Sequence, residues 1–151
     1  GAAKVPGTDG QKMSKSYENT IELFEEQSVQ KKKIMRITTD SRPMEASKNP
    51  DQDHLYQLFS LVGSQEDVSE MAELYRRGGF GYGQVKKAIV AAAQDAFATA
   101  RERRRKLEAN THEIDEILAA GAKRARAVAG HVLERAREAC GLSRSSGRRP
   151  E

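Results

Sequence analysis

The chain has 151 residues, with 26 Lys and Arg against 22 Asp and Glu, a net charge of +4, 37% hydrophobic and 5% aromatic residues and no Trp. That size predicts one domain with an aliphatic core. The single Cys140 excludes an intrachain disulfide framework, and the longest apolar run, residues 88–93, falls far short of the roughly 20 residues of a membrane span. With no signal-peptide pattern at its start, the chain reads as an intracellular protein, and its charge is compatible with a nucleic-acid partner without demanding one.

Residues 1–20 hold Pro6, Gly7, Asp9 and Gly10 among polar neighbours, which predicts a mobile loop. Residues 2–5 resemble a strand end with no obvious partner in this chain. An isolated strand is unstable, so the stretch is expected to finish a larger fold lying upstream. From Ser28, a candidate N-cap, a helix is predicted over 28–39 with Ile34 and Ile37 inward. Residues 42–49 form a polar loop around Pro43. Asn49-Pro50 then reads as an N-cap followed by Pro at the first helical position. Leu55, Leu58, Phe59 and Val62 follow at helical spacing, and Gly63 stops the run.

Ser64 and Asp67 resemble a capping box, with Val68, Met71, Ala72 and Tyr75 as the next buried face and Gly78-Gly79 as its end. One long helix carries Val85, Ala88, Ile89, Ala92, Ala96, Phe97 and Ala100 on one face. A second begins near Thr111, a candidate N-cap, and places Ile114, Ile117, Leu118, Val128 and Val132 on a stripe that ends at Gly141. Gly121 inside it costs near 1 kcal/mol and invites a bend. The tail from Ser143 is expected to be disordered. The fold class is therefore all-α: a bundle of about five helices over 21–142, preceded by the loop of residues 1–20 and followed by the 143–151 tail.

The stretch Lys12-Met13-Ser14-Lys15-Ser16 carries the chemistry. It lacks the glycine and lysine spacing of a P-loop. Two lysines three apart in a glycine-rich loop can bring two compact ammonium groups onto one polyphosphate. There they stabilise charge that builds on a departing pyrophosphate, more in the transition state than in the ground state. Elsewhere, Arg101, Arg103, Arg104, Arg105 and Lys106 form one basic cluster, and Lys123, Arg124 and Arg126 a second. Both suit phosphate contacts, which position a nucleic acid without reading its sequence, and both equally suit solvated helix ends. His54, His112 and His131 stand too far apart for metal-ligand spacing. Tyr75, Phe80 and Tyr82, set among Gly78, Gly79, Gly81 and Gly83, read as a turn pinned by buried rings, with base stacking as the other option. Cys140 is expected to be a small buried hydrophobe.

The pentapeptide is identical to the KMSKS motif of class I aminoacyl-tRNA synthetases. Residues 5–11 before it and Tyr17 with Asn19-Thr20-Ile21 after it resemble bacterial tryptophanyl-tRNA synthetases. So do Lys31-Lys32-Lys33-Ile34-Met35-Arg36, Thr39-Asp40-Ser41, Gly81-Tyr82-Gly83, residues 113–118 and residues 121–125. The resemblance covers residues 3–142. It implies an enzyme that activates L-tryptophan with Mg·ATP and transfers it to tRNA(Trp) in the cytoplasm, as a homodimer in its full form. It implies that Lys12 and Lys15 hold the ATP phosphates, that Met13, Ser14 and Ser16 shape the loop beside the nucleotide, and that the helical region receives the anticodon. The family's other ATP motif, on an N-terminal nucleotide-binding fold, is absent here. The chain is therefore expected to be a C-terminal part, monomeric and inactive alone, with no protein metal site. A tyrosyl-tRNA synthetase and a non-catalytic helical RNA-binding module remain the alternatives.

Overall fold

A computed structural model describes residues 4–142. The expected disordered tail, 143–151, and the first residues of the 2–5 stretch lie outside the described residues. Among the described residues the chain is all-α, with six α-helices, two short 3-10 turns and one isolated antiparallel bridge, Pro6 to Lys12. It divides into two compact units, residues 1–102 and 103–151. No helix among the described residues is long and apolar enough to cross a membrane.

The first unit holds the core. Helix α1, Gln27–Met35, begins after Glu26 without a side-chain cap, so Ser28 is not the cap the sequence suggested. Gln30 and Ile34 face inward, and Ile37 is buried beyond the helix end. The open end of α1 is closed from a distance. Lys86 Nζ donates to the carbonyls of Met35 and Ile37 at 3.2 and 2.6 Å, and burial lowers its pKa.

The single helix expected after Asn49 is two elements. Asn49 caps a 3-10 turn, Pro50–Gln52, and Asp53 then caps α2, His54–Ser60, by accepting the Leu55 and Tyr56 N–H groups at 2.8 and 3.2 Å. Asp53 is a second N-cap four residues after the first, and that restarts the chain. Helix α3, Gln65–Arg77, has the expected box: Ser64 Oγ accepts the Asp67 N–H at 3.1 Å and donates to its carboxylate at 2.5 Å. Gly78 ends it at φ 77°, where a Cβ would also lie 2.5 Å from the Glu45 carbonyl oxygen. Conformation and space both demand glycine there.

The aromatic turn after α3 is pinned by buried rings, as its sequence suggested. Tyr75 and Phe80 stack with centroids 4.7 Å apart, and Tyr56 meets Tyr75 edge-on at 5.6 Å. Lys48 completes this cluster. It is 3% exposed, donates from Nζ to the carbonyls of Pro43, Met44 and Ala46, and lies 4.4 Å from the Phe80 ring centre. A buried ammonium is tolerated because its three donors are met and a ring face supplies the remaining field. Helix α4, Tyr82–Ala96, packs Val85, Ile89 and Val90 against α1 and α2. The one long helix expected here is broken at Phe97 (φ −105°, ψ 8°), and α5, Ala98–Ala109, follows.

In the second unit, α6 runs over Thr111–Ala139, 29 residues without a break at Gly121. The cap position is Asn110, not Thr111. Gly141 (φ 68°) stops it, with the Leu142 N–H bonded to the Arg137 carbonyl and the Gly141 N–H to that of Glu138, a Schellman ending. The apolar stripe of α6 is present but not buried: Val128 is 74% and Leu118 65% exposed, and the helix has no buried residue. Cys140 is exposed at the C-cap of that uncovered helix, which corrects the expectation of a buried thiol.

Candidate functional site

Residues 5–19 are held in one hydrogen-bonded turn. The Met13 N–H donates to the Val5 carbonyl at 2.8 Å beside the Pro6–Lys12 bridge, so the strand end finds its partner within this chain. The Gly7 N–H meets the Gln11 carbonyl at 2.7 Å, and Gly10 turns the chain at φ 78°. Ser14 then caps a 3-10 turn, Lys15–Tyr17, its Oγ accepting the Ser16 N–H at 3.3 Å. Glu18 reverses the chain in the left-handed region (φ 52°), the one non-glycine residue with positive φ among those described. That reversal carries Asn19 underneath the loop, where it is 2% exposed.

The loop is joined to the helical core at its base. The Thr38 N–H donates to the Thr8 carbonyl at 3.1 Å, and the Thr38 carbonyl accepts His54 Nε2–H at 2.7 Å. A Cβ on Gly10 would stand 3.3 Å from the His54 ring. His54, which sequence reading left without a role, therefore props the first turn of the loop.

Lys12 and Lys15 lie on this turn with exposed side chains, and neither ammonium has a partner among the described residues. Both charges are available to a ligand. Met13 points into an apolar groove of about 310 Å³ lined also by Val5, Ile21, Leu61, Ile89 and Phe97. Ser14 is committed to capping, and Ser16 is exposed. On the other flank, Thr8, Asp9, Glu18, Lys33 and Arg36 line a polar hollow of about 270 Å³. Among the described residues no three His, Cys, Asp or Glu side chains gather as a metal site.

Asp9 accepts Asn19 Nδ2–H at 2.8 Å and the Gln11 N–H at 3.0 Å. The Asn19 hydrogen bond is the main cause that holds its carboxyl below the usual range, with the Gln11 N–H and His54 adding to it against a smaller effect of burial. A lowered carboxylate pKa stabilises the folded loop above the unfolded value, about 3.9, and that stability is lost as pH falls through the folded value. Amide exchange at Gln11, corrected for its intrinsic pH dependence, is expected to stay slow down to about pH 4 and to speed up below it.

The basic cluster on α5 is partly spoken for. Arg101 donates to the Glu25 carbonyl at 3.0 Å and to Gln30 Oε1 at 2.9 Å. Arg103 pairs with Glu113 at 2.6 Å and Arg104 with Glu108 at 2.7 Å. Arg105, Lys106, Lys123, Arg124 and Arg126 are exposed. Asn19, Asp9, His54, Lys48 and Lys86 are the residues sequence reading gave no role. Asn19 and Asp9 carried a signal, since both belong to the quoted motif surroundings; His54 and Lys48 carried none.

The family model for class I tRNA synthetases (W and Y) matches residues 3–98. The chain is 56% identical over 140 residues to the tryptophan–tRNA ligase of Rhodopirellula baltica, covering 93% of this chain and 44% of that protein. It is 40% identical over 141 residues to the same enzyme of Fusobacterium nucleatum, covering 93% and 43%. The structure of Campylobacter jejuni tryptophanyl-tRNA synthetase complexed with ADP and tryptophan superimposes with a TM-score of 0.82 at 36% identity, over 93% of this chain and 44% of that one. The chain thus spans under half the length of these relatives. The lysine loop, the helical core and these matches together show that the chain belongs to the class I tRNA synthetases of the tryptophan and tyrosine group.

Proposed function

We propose that this chain supplies the KMSKS loop and the helical tRNA-binding part of a cytoplasmic tryptophan–tRNA ligase. The observation that carries the reading is the KMSKS pentapeptide on a tied turn, with both ammonium groups exposed and without a partner among the described residues. The named relatives favour tryptophan over tyrosine, and one of them was solved with ADP and tryptophan. In this reading residues 1–20 close the catalytic domain and residues 21–142 receive the anticodon arm of tRNA(Trp).

In the first half-reaction the tryptophan carboxylate attacks the α-phosphate of Mg·ATP. A new O–P bond forms, the bond to the β-phosphate oxygen breaks, and pyrophosphate leaves with the electron pair. Lys12 and Lys15 meet the charge that grows on that leaving group, which is where preorganised cations lower the barrier. Met13, Ser14 and Ser16 hold the backbone between and beside them. The magnesium ion arrives with ATP. Full-length protein carrying this chain, a homodimer in this reading, is expected to catalyse tryptophan-dependent ATP–pyrophosphate exchange, and the 151-residue chain alone to catalyse none. Exchange by the pure chain overturns this division of labour.

For tRNA, Arg105, Lys123, Arg124 and Arg126 are the cations best placed to take phosphates, and Arg101 is the least, because its guanidinium ties α5 to the start of α1. Each phosphate contact adds about 0.7–0.9 to the log–log salt slope of binding. Arg105→Ala and Arg124→Ala are each expected to lower that slope by about one contact's worth. Arg101→Ala is expected to leave the slope unchanged and to lower the melting temperature.

A further inference from the structure

Asn19 is the hub of the lysine loop. Its side-chain oxygen accepts the Ser14 N–H at 2.7 Å. Its amide nitrogen donates to Asp9 Oδ1 at 2.8 Å and to the Lys12 carbonyl at 3.1 Å. Its own carbonyl accepts the Thr8 N–H at 3.0 Å. One buried amide thus uses its acceptor and both of its donors within the loop.

The points it ties are not arbitrary. The Lys12 carbonyl and the Ser14 N–H bracket Met13, and Ser14 is the residue that caps the turn bearing Lys15. The backbone direction at both lysines is therefore set by a side chain four residues beyond the second one. Gly7 makes room for it: a Cβ there would lie 2.4 to 2.7 Å from atoms of Asn19. The left-handed turn at Glu18 delivers it. An aspartate in its place keeps the acceptor for Ser14 but turns a second carboxylate toward Asp9 and toward the Lys12 carbonyl.

We propose that Asn19 is the positioning residue of the KMSKS loop, holding Lys12 and Lys15 at the spacing at which they receive a polyphosphate. Asn19 touches no phosphate itself; it acts through the backbone of Lys12 and Ser14, and Asp9 is its anchor. The proposal rests on the reading of the two lysines as phosphate ligands, and deepens it.

The test uses the 151-residue chain with two readouts: amide exchange at Ser14, and affinity for tripolyphosphate by calorimetry. Asn19→Ala leaves the net charge unchanged, so any loss of affinity is not an electrostatic artefact. It is expected to speed Ser14 exchange and weaken tripolyphosphate binding, each about tenfold, the size of one lost charge-assisted hydrogen bond. The melting of the helical core is expected to stay where it is. Asn19→Asp is expected to be worse at neutral pH and to recover on acidification, as one of the facing carboxyls takes a proton. The exchange of partners, Asp9→Asn with Asn19→Asp, restores the wild-type net charge and the bond between the two side chains, and is expected to bind better than Asn19→Asp alone. Wild-type Ser14 exchange in Asn19→Ala, or a double variant no better than Asn19→Asp, overturns the proposal. If the wild-type chain does not bind tripolyphosphate, the phosphate reading of the lysines fails, and the Ser14 exchange still decides whether Asn19 orders the loop.

Discussion

Lys15→Ala in the full-length enzyme is expected to lower kcat for tryptophan-dependent ATP–pyrophosphate exchange by about 10²–10³, the cost of losing one preorganised donor at a developing charge. The side chain lies exposed on the 3-10 turn, and its ammonium has no partner among the described residues. Nothing in the fold is supported by that group, so the melting temperature is expected not to move. The loss is expected in kcat and in kcat/KM together, because the interaction strengthens only as pyrophosphate departs. Lys12→Ala is expected to behave in the same way. Lys15→Arg keeps the charge but spreads it over a planar fork, and is expected to recover only part of the rate. A rise in KM for ATP with kcat intact would contradict the account, since it would make Lys15 a ground-state ligand.

Tyr75→Ala is expected to destabilise the first unit by about 3–5 kcal/mol, the usual cost of deleting a buried aromatic ring. Tyr75 is fully buried, with Tyr56 and Phe80 against its ring. Its carbonyl accepts the Lys48 N–H at 2.7 Å, and its hydroxyl donates to Asp53 Oδ1 at 3.1 Å. The same Asp53 oxygen caps α2, so one ring holds α3, the start of α2 and the 42–49 loop together. Tyr75→Phe removes only the hydroxyl and is expected to cost about 1 kcal/mol. It also predicts a pH signature. Burial, chiefly, and the Asp53 carboxylate raise the Tyr75 pKa, and burial with the Asp40 hydrogen bond raises that of Tyr82. A raised folded pKa gives stability that is complete below the unfolded value, about 10, and declines as pH rises above it. Denaturant melts at pH 8 and pH 11 are expected to show that decline, and Tyr75→Phe is expected to reduce it.

These two results sit on opposite sides of what the sequence made legible. The KMSKS lysines were readable because five consecutive residue types carry the signal themselves. The capping box of α3 and its glycine ending were readable for the same reason: each is a local pattern with a local cause. The groups that make the loop and core cohere were not. Lys48 is buried among the carbonyls of its own loop, half-buried Lys86 reaches carbonyls at the end of α1, and a lysine in a sequence is by default a surface residue. Asn19 gains its role from a left-handed glutamate, a conformation no propensity assigns to that residue type. Asp53 was hidden behind the stronger Asn49-Pro50 signal. The break at Phe97 interrupts an alanine-rich run with no breaker in it, and the stripe on α6 follows helical period while staying exposed. Periodicity reports which face of a helix is apolar; it does not report what covers that face.

The central claim is that this chain works in charging tRNA with tryptophan through the KMSKS lysines. The most direct test is aminoacylation of total tRNA by the full-length protein carrying this chain, with labelled tryptophan or labelled tyrosine, for the wild type and the Lys12→Ala/Lys15→Ala variant. Charging with tryptophan, none with tyrosine, and collapse of the rate in the double variant is the predicted result. Charging with tyrosine, or tryptophan charging that survives loss of both lysines, would contradict it.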